Sequence, residues 1–108
     1  MSTNLDELIV LTANRFPADE ENYPSLVGKT DKEKLVFNIR HQILHLTKRC
    51  GKFANVIEGY EHGRKELDIT ELKEQIPKGI IDILRIAQTL GMTGEEIAQA
   101  IEMKESDS

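Results

Sequence analysis

The sequence has few of the residues that cross-link or anchor a small domain. Its 108 residues include one cysteine, Cys50, which excludes a disulfide within the chain and a cysteine-based zinc site. Tryptophan is absent and aromatic residues make up 5% of the chain, so a core must consist mainly of aliphatic side chains. The longest unbroken apolar run, residues 8–11, is too short to cross a membrane, and no secretory signal is evident. We therefore expect a cytoplasmic protein with no membrane partner.

The charge balance excludes one class of partner. The chain has 14 Lys and Arg residues against 19 Asp and Glu residues, which gives a formal net charge of −5. Such a chain does not coat DNA or RNA through bulk electrostatic attraction. Hydrophobic residues at 39% and charged residues at 31% are typical of a folded domain. We expect one domain over residues 1–104 and a polar tail at residues 105–108.

Apolar residues recur at three- and four-residue spacing nearly throughout, which predicts an all-α fold. We expect a four-helix bundle with two long and two short helices. A capping residue among positions 2–4 starts the first helix, which ends before Pro17. A loop follows over residues 17–29. Residues 30–33 then form a capping box that opens a long helix reaching about Tyr60.

The second helix carries an apolar stripe about 120° wide, which predicts burial along its whole length. Cys50 lies inside this stripe and is predicted to be a small buried hydrophobe. Asp68 or Thr70 caps the third helix, in which Pro77 predicts a kink or a restart. A second capping box at residues 93–96 opens the short fourth helix. The stripe of the second helix consists of Val36, Ile39, Ile43, Leu46, Cys50, Phe53, Ala54 and Ile57.

One side of the second helix is basic. Three interpretations of it are open: a solvated basic face, a metal shared by His41 and His45, or an anion site built on Arg49 and Lys52. No acidic third ligand stands near the two histidines on that helix, which weakens the metal interpretation. The residues that recur there at three- and four-residue spacing are His41, His45, Lys48, Arg49 and Lys52.

Carboxylates three residues apart form two pairs, Glu58 with Glu61 and Glu71 with Glu74. Carboxylates at this spacing can hold Mg²⁺ together with its water ligands. A chain with 19 acidic residues produces such pairs by chance as well, so a metal site remains an alternative here.

Three segments, in this order, resemble the MazG-like, all-α nucleoside triphosphate pyrophosphohydrolase superfamily. They are the opening pattern LxxLTxxRFP, the long-helix pattern HxILHLTxxxGxFA and the ending GIIDILRIAQTLGMTGEEIAQAI. The resemblance covers nearly the whole chain and depends on the order and spacing of the segments. It implies a MazG-like bundle that is completed by oligomerisation, as a homodimer or a higher homo-oligomer.

The resemblance also indicates where the family's chemistry lies, and this chain departs from it there. Active members carry an EExxE motif on the long helix and an ExxD motif on the next, and these acids hold the Mg²⁺ that clamps the triphosphate. None of the five acids is present here. We therefore expect that the Mg-dependent reaction is lost and that no cofactor binds, with Mg²⁺ needed only if the activity is retained. The residues at the five positions are Lys48, Arg49, Lys52, Gln75 and Lys78.

These features leave three hypotheses about function. The first is a nucleotide-binding, anion-binding or protein-interaction module whose ligand is a nucleotide or a phosphorylated small molecule. The second is an active pyrophosphohydrolase with a displaced metal site at Glu71 and Glu74, and the third is a purely structural helical oligomer. The resemblance implies that Arg49 and Lys52 face Lys78. These cations need neutralising, for which Glu74, Asp82, an acidic partner, a bound phosphate or water in an open gap are the candidates. The anion-binding candidates are His45, Lys48, Arg49, Lys52 and Lys78.

Overall fold

The computed structural model describes residues 3–12 and 20–107, and these residues form helices with no β-strand. A short helix α1 and one turn of 3-10 helix precede the long helix α2, which is followed by α3 and α4. This confirms the prediction of an all-α chain. The bounds are α1 Leu5–Thr12, the 3-10 turn Pro24–Leu26, α2 Asp31–Glu61, α3 Ile69–Thr89 and α4 Gly94–Asp107.

Side-chain caps fix the starts of the first two α-helices, as the sequence predicts. Asn4 Oδ1 accepts a hydrogen bond from the Glu7 amide at 2.9 Å, so Asn4 caps α1. The Thr30 hydroxyl accepts from the Glu33 amide at 3.1 Å, and Glu33 Oε1 accepts from the Thr30 amide at 3.3 Å. Both halves of the predicted capping box are therefore present. The predicted helix end at Pro17 lies outside the described residues.

Helix α3 begins at an Asp68 cap and runs through Pro77 without interruption. The predicted restart at Pro77 is therefore wrong. The helical hydrogen bond that the proline cannot donate would end on the carbonyl of Lys73. Both residues are exposed, so water can reach that carbonyl, and the apolar side of the helix continues past it. The turn after α3 contains Gly91, whose φ of 75° lies in the left-handed region that favours glycine.

Helix α4 is longer than the sequence predicts. It begins at Gly94, directly after Thr93, whose hydroxyl oxygen accepts a hydrogen bond from the Glu96 amide at 3.1 Å. It continues to Asp107 and so includes residues 105–107, which were predicted as a polar tail. Glu, Lys and Met are good helix formers, and no glycine or proline follows Gly94, so nothing in the sequence ends the helix earlier.

The helices pack around a small core. Helices α2 and α3 are antiparallel: Gln42 Nε2 of α2 donates to Thr89 Oγ1 at the end of α3 at 2.8 Å, and Arg49, later on α2, bonds to Asp82, earlier on α3. Helix α1 packs against α3 and against α4. No described helix combines the length and the apolar character that a membrane span requires. The buried apolar side chains among the described residues are Ile9, Leu26, Val56, Leu84 and Ala87.

The apolar stripe of α2 is largely uncovered, which contradicts the prediction that it is buried along its whole length. Val56 and Gly59 are the buried residues of this helix, whereas Val36 and Ile43 are 44% and 48% exposed. Cys50 is exposed as well, so the prediction that it is a buried hydrophobe is wrong. The reason is that, among the described helices, α3 alone packs closely on α2, and one neighbour covers only part of a stripe about 120° wide.

Gly94 permits a close approach between α4 and α1. It is buried, its amide donates to Asp6 Oδ1 at 2.7 Å, and a Cβ atom would overlap the backbone of Leu5 and Asp6. We predict that Gly94→Ala destabilises the fold by about 1–3 kcal/mol, because α1 must move to admit the methyl group. Urea unfolding followed by circular dichroism measures the change in the free energy of unfolding.

Gly51→Ala is the matched control for this prediction. Gly51 lies within α2, and a Cβ atom there meets no atom within 4 Å. Alanine should stabilise the helix by about 0.5–1 kcal/mol at such a position, because it has the higher helix propensity. Two variants of equal stability would contradict the role assigned to Gly94.

Candidate functional site

Arg49 joins α2 to two polar residues of α3 at the centre of the predicted basic cluster. Its Nε atom donates to Asp82 Oδ2 at 3.1 Å, and its Nη1 atom donates to Gln75 Oε1 at 2.9 Å. Gln75 and Asp82 are seven residues apart on α3, so both lie on the side that faces α2. They are 6% and 7% exposed. Arg49 therefore satisfies two buried polar side chains of the neighbouring helix.

Asp82 supplies the counter-charge for Arg49, as one of the sequence-based alternatives anticipated. Glu74, another candidate, is exposed. The Arg49 side chain is 18% exposed and the Asp82 side chain 8%, so the pair is largely shielded from water. Loss of either partner would leave a charge that neither water nor protein fully solvates.

The predicted lysines lie on one side of the α2–α3 pair. At about 100° of rotation per residue, Lys48 and Lys52 are displaced by about 100° and 60° from Arg49 in the same sense. On α3, Lys78 is displaced by about 60° from Gln75, which binds Arg49, and the rotation has the same sense as for the two lysines of α2. Because the helices are antiparallel, these displacements lead to the same side of the pair. We call this surface, formed by the three lysines and His45, the basic side.

The three lysines of the basic side have no ion-pair partner in the part of the chain that the structure describes. All three are exposed. No carboxylate oxygen of a described residue lies within 4.0 Å of Lys48, Lys52 or Lys78 Nζ. Arg49 differs from them because its Nε and Nη1 atoms already donate to α3. The lysines are therefore the cations of the cluster that are free to meet an external anion.

His45 belongs to the basic side as a neutral ring. Partial burial lowers its pKa below the ordinary value, and electrostatic repulsion by the neighbouring His41, Arg85 and Lys48 lowers the pKa further. Asp82 acts in the opposite direction but does not reverse the shift. At neutral pH His45 therefore offers a hydrogen-bonding ring, and not a charge, to a ligand.

A stack of aromatic rings fixes His41. The Tyr23 hydroxyl oxygen lies 2.7 Å from His41 Nε2. Phe37 stacks on the imidazole at a centroid distance of 5.5 Å, and His45 meets it edge-on at 5.0 Å. The hydrogen bond engages His41 Nε2, which removes that nitrogen from the proposed pair of metal ligands. Sequence analysis missed Tyr23, because no spacing rule connects a loop residue with a helix position 18 residues later.

The carboxylates of the alternative metal site do not gather around one point. Glu71 and Glu74 are exposed near the start of α3. Glu58, on the last turns of α2, is rotated by about 180° from Arg49 and so points away from α3. In the described part of the chain, no three His, Cys, Asp or Glu side chains are placed to hold a metal ion together.

Compared with known protein families, curated proteins and solved structures, the chain matches none. Its function is therefore inferred from the residues and contacts described above.

The contacts of Arg49 predict that removal of its side chain strongly lowers the stability of the fold. We expect Arg49→Ala to lower the free energy of unfolding by about 3 kcal/mol, because it leaves the Asp82 carboxylate and the Gln75 amide buried without their partner. Asp82→Asn should cost less, since the asparagine oxygen can still accept from Arg49. Chemical denaturation of the purified variants at neutral pH measures both values.

Lys48→Ala is the control, because it removes a cation that is next to Arg49 in sequence, is exposed and forms no ion pair with a described residue. It should change the free energy of unfolding by less than about 0.5 kcal/mol. If Arg49→Ala is as mild as Lys48→Ala, the buried ion pair does not hold α2 and α3 together.

Proposed function

We propose that the chain is a degenerate MazG-like protein that acts as a nucleotide-binding, anion-binding or protein-interaction module without Mg-dependent pyrophosphohydrolysis. The observation that carries the proposal is the Arg49 side chain bonded to Asp82 and Gln75 between α2 and α3. Under the resemblance, positions 49 and 75 belong to the two metal-binding motifs of the family. Here a direct hydrogen bond joins the side chains at these positions.

The positive charges at the family's motif positions oppose the binding of a divalent cation. Mg²⁺ requires anionic or neutral oxygen ligands, and four of the five family positions carry Lys or Arg in this chain. Two unit charges of the same sign repel by about 4 kcal/mol at 4 Å and an effective dielectric constant of 20. Asp82 is the one buried acid among the described residues, and Arg49 already neutralises it.

The basic side favours a ligand that carries phosphate groups. Lys48, Lys52 and Lys78 bring three ammonium groups to one side of the helix pair, and His45 adds a neutral donor or acceptor. Lysines act on phosphate as mobile point charges, which suits a ligand with several phosphate oxygens. Because the lysines are exposed, salt will screen the attraction strongly.

The proposal predicts binding without hydrolysis. Purified protein incubated with NTPs and dNTPs plus Mg²⁺ or Mn²⁺ should release no more pyrophosphate than a mock purification. A nucleoside triphosphate should bind without metal, with a Kd that rises with salt. Isothermal titration calorimetry should show that the Kd rises about tenfold or more when the three lysines are replaced by glutamine. The binding variant is Lys48→Gln, Lys52→Gln and Lys78→Gln, and its charge-matched control is Lys65→Gln, Lys73→Gln and Lys104→Gln.

Other outcomes would select the other hypotheses. Metal-dependent hydrolysis that is lost in Glu71→Ala or Glu74→Ala would contradict the proposal and support a displaced metal site. Neither binding nor hydrolysis, with the oligomer unchanged in the lysine variant, would support a purely structural role.

We also propose that the chain assembles as a homodimer or a higher homo-oligomer. Both helices expose isoleucines on the face opposite the basic side. These isoleucines are rotated by about 80–140° from the positions at which α2 and α3 touch. The radius of gyration of 17.1 Å exceeds the value of about 13 Å typical of a compact chain of this length. A second copy would cover this apolar surface. Its isoleucines, which are 39–53% exposed, are Ile43, Ile57, Ile76, Ile80 and Ile83.

Oligomerisation through this surface predicts a change in mass in solution. Ile80 is 47% exposed on this surface, so Ile80→Glu should shift the protein toward the monomer by placing a charge in the interface. Sedimentation at micromolar concentration measures the mass. Met103→Glu, at a residue of α4 that is 67% exposed, is the control and should leave the mass unchanged. A wild-type monomer would rule out the assembly.

A further inference from the structure

A cavity of about 380 Å³ lies between the 3-10 turn and the first three turns of α2. Its lining includes the buried Leu26 and an apolar wall formed by Val36 and Phe37. By rotation along α2, Val36 and Phe37 are displaced by about 120–140° from Arg49, so the cavity opens away from α3. It shares no residue with the basic side, and Arg40, its lining residue nearest to Lys48 in sequence, lies about 12 Å from Lys48 along the helix axis.

The wall of this cavity is held in place by its neighbours. The Phe37 ring stacks on His41, and Tyr23 meets it edge-on at a centroid distance of 5.1 Å. The backbone of the 3-10 turn is fixed by hydrogen bonds from the Leu26 amide to the Tyr23 carbonyl at 3.0 Å and from the Lys29 amide to the Leu26 carbonyl at 3.1 Å. The apolar surface of the cavity is thus formed before any ligand arrives.

One acidic group lines the cavity, and its oxygens are already engaged. Glu33 Oε1 accepts from the Thr30 amide, and Glu33 Oε2 lies 3.8 Å from Lys29 Nζ. The hydrogen bond from the Thr30 backbone lowers the pKa of Glu33, which keeps it ionised as the cap of α2. The charges of Lys29 and Glu33 cancel, so the pair adds no net charge to the lining of the cavity.

Two further cations line the cavity without such a partner. Lys32, Val36 and Arg40 follow one another at four-residue spacing, so they form one ridge of α2 with the apolar residue between the cations. Lys32 and Arg40 are about 12 Å apart along the helix axis. No carboxylate oxygen of a described residue lies within 4.0 Å of either charged group. On a chain with a net charge of −5, this is a local positive site beside an apolar wall.

We propose that this cavity binds a small planar organic anion, an aromatic ring that carries a phosphate or a carboxylate. The ring packs against Val36 and Phe37, and the acid group accepts hydrogen bonds from the planar guanidinium of Arg40. Lys32 supplies a second positive charge. The cavity volume lies within the range of about 300–1,000 Å³ typical of small-molecule sites. The assignment depends neither on the MazG-like resemblance nor on the basic side.

The test is a titration of the full chain followed by ¹H–¹⁵N NMR with four probes. They are 1-naphthyl phosphate, naphthalene-2,6-dicarboxylate, the neutral 2-naphthol, and inorganic phosphate, which has no ring. We expect both aromatic acids to shift the amides of residues 25–40 and to bind about tenfold or more tightly than 2-naphthol or inorganic phosphate. The stronger of the two acids identifies phosphate or carboxylate as the preferred group.

Charge-removing variants locate the binding groups. Arg40→Gln and Lys32→Gln should each raise the Kd of the stronger acid by about fivefold or more, and the spectra report directly that the variants are folded. The control is Lys48→Gln combined with Lys52→Gln, which changes the basic side and should leave the Kd within about twofold.

Three results would overturn the inference. They are shifts confined to the basic side, an Arg40→Gln variant that binds within about twofold of the wild type, and 2-naphthol binding as tightly as the acids. The nucleotide titration of the lysine variants is independent of these measurements, so a failure of the proposed function and a failure of this inference can be told apart.

Discussion

The hydrogen-bonded ion pair between Arg49 and Asp82, with Gln75 as the second acceptor, sets the geometry on which the helix pair depends. The described residues bury only five apolar side chains, so the aliphatic core alone does not define how α2 lies on α3. A guanidinium that must reach two acceptors seven residues apart permits few rotations of one helix against the other. The polar contact therefore selects a register that the small core could not specify by itself.

This register separates the chemistry of the two exposed surfaces. With Arg49 directed at α3, the lysines at positions 48, 52 and 78 all turn to one side, and the exposed isoleucines at positions 43, 57, 76, 80 and 83 turn to the other. A slip of one residue on either helix would rotate its side chains by about 100° and mix the two surfaces. The separation thus follows from one contact and from helix periodicity.

Much of the fold could be predicted from the sequence, because helix signals are local. Asn4, the Thr30–Glu33 box and Asp68 cap their helices through contacts within three residues, so the sequence contains the whole interaction. The burial of the α2 stripe could not be predicted, because it depends on how many helices cover it. In the candidate site, Asp82 could be predicted as a counter-charge for Arg49. The hydrogen bond between Tyr23 and His41 could not be predicted, because it joins a loop to a helix and produces no periodic pattern in the sequence.

The proposed descent from a metal-dependent enzyme gains a physical basis from the same contact. A divalent cation holds two helices together only while it is bound, so that arrangement depends on its concentration. The Arg49 guanidinium is attached to the chain and satisfies Asp82 and Gln75 at any ion concentration. A cation supplied by the chain therefore keeps α2 and α3 packed without a bound metal.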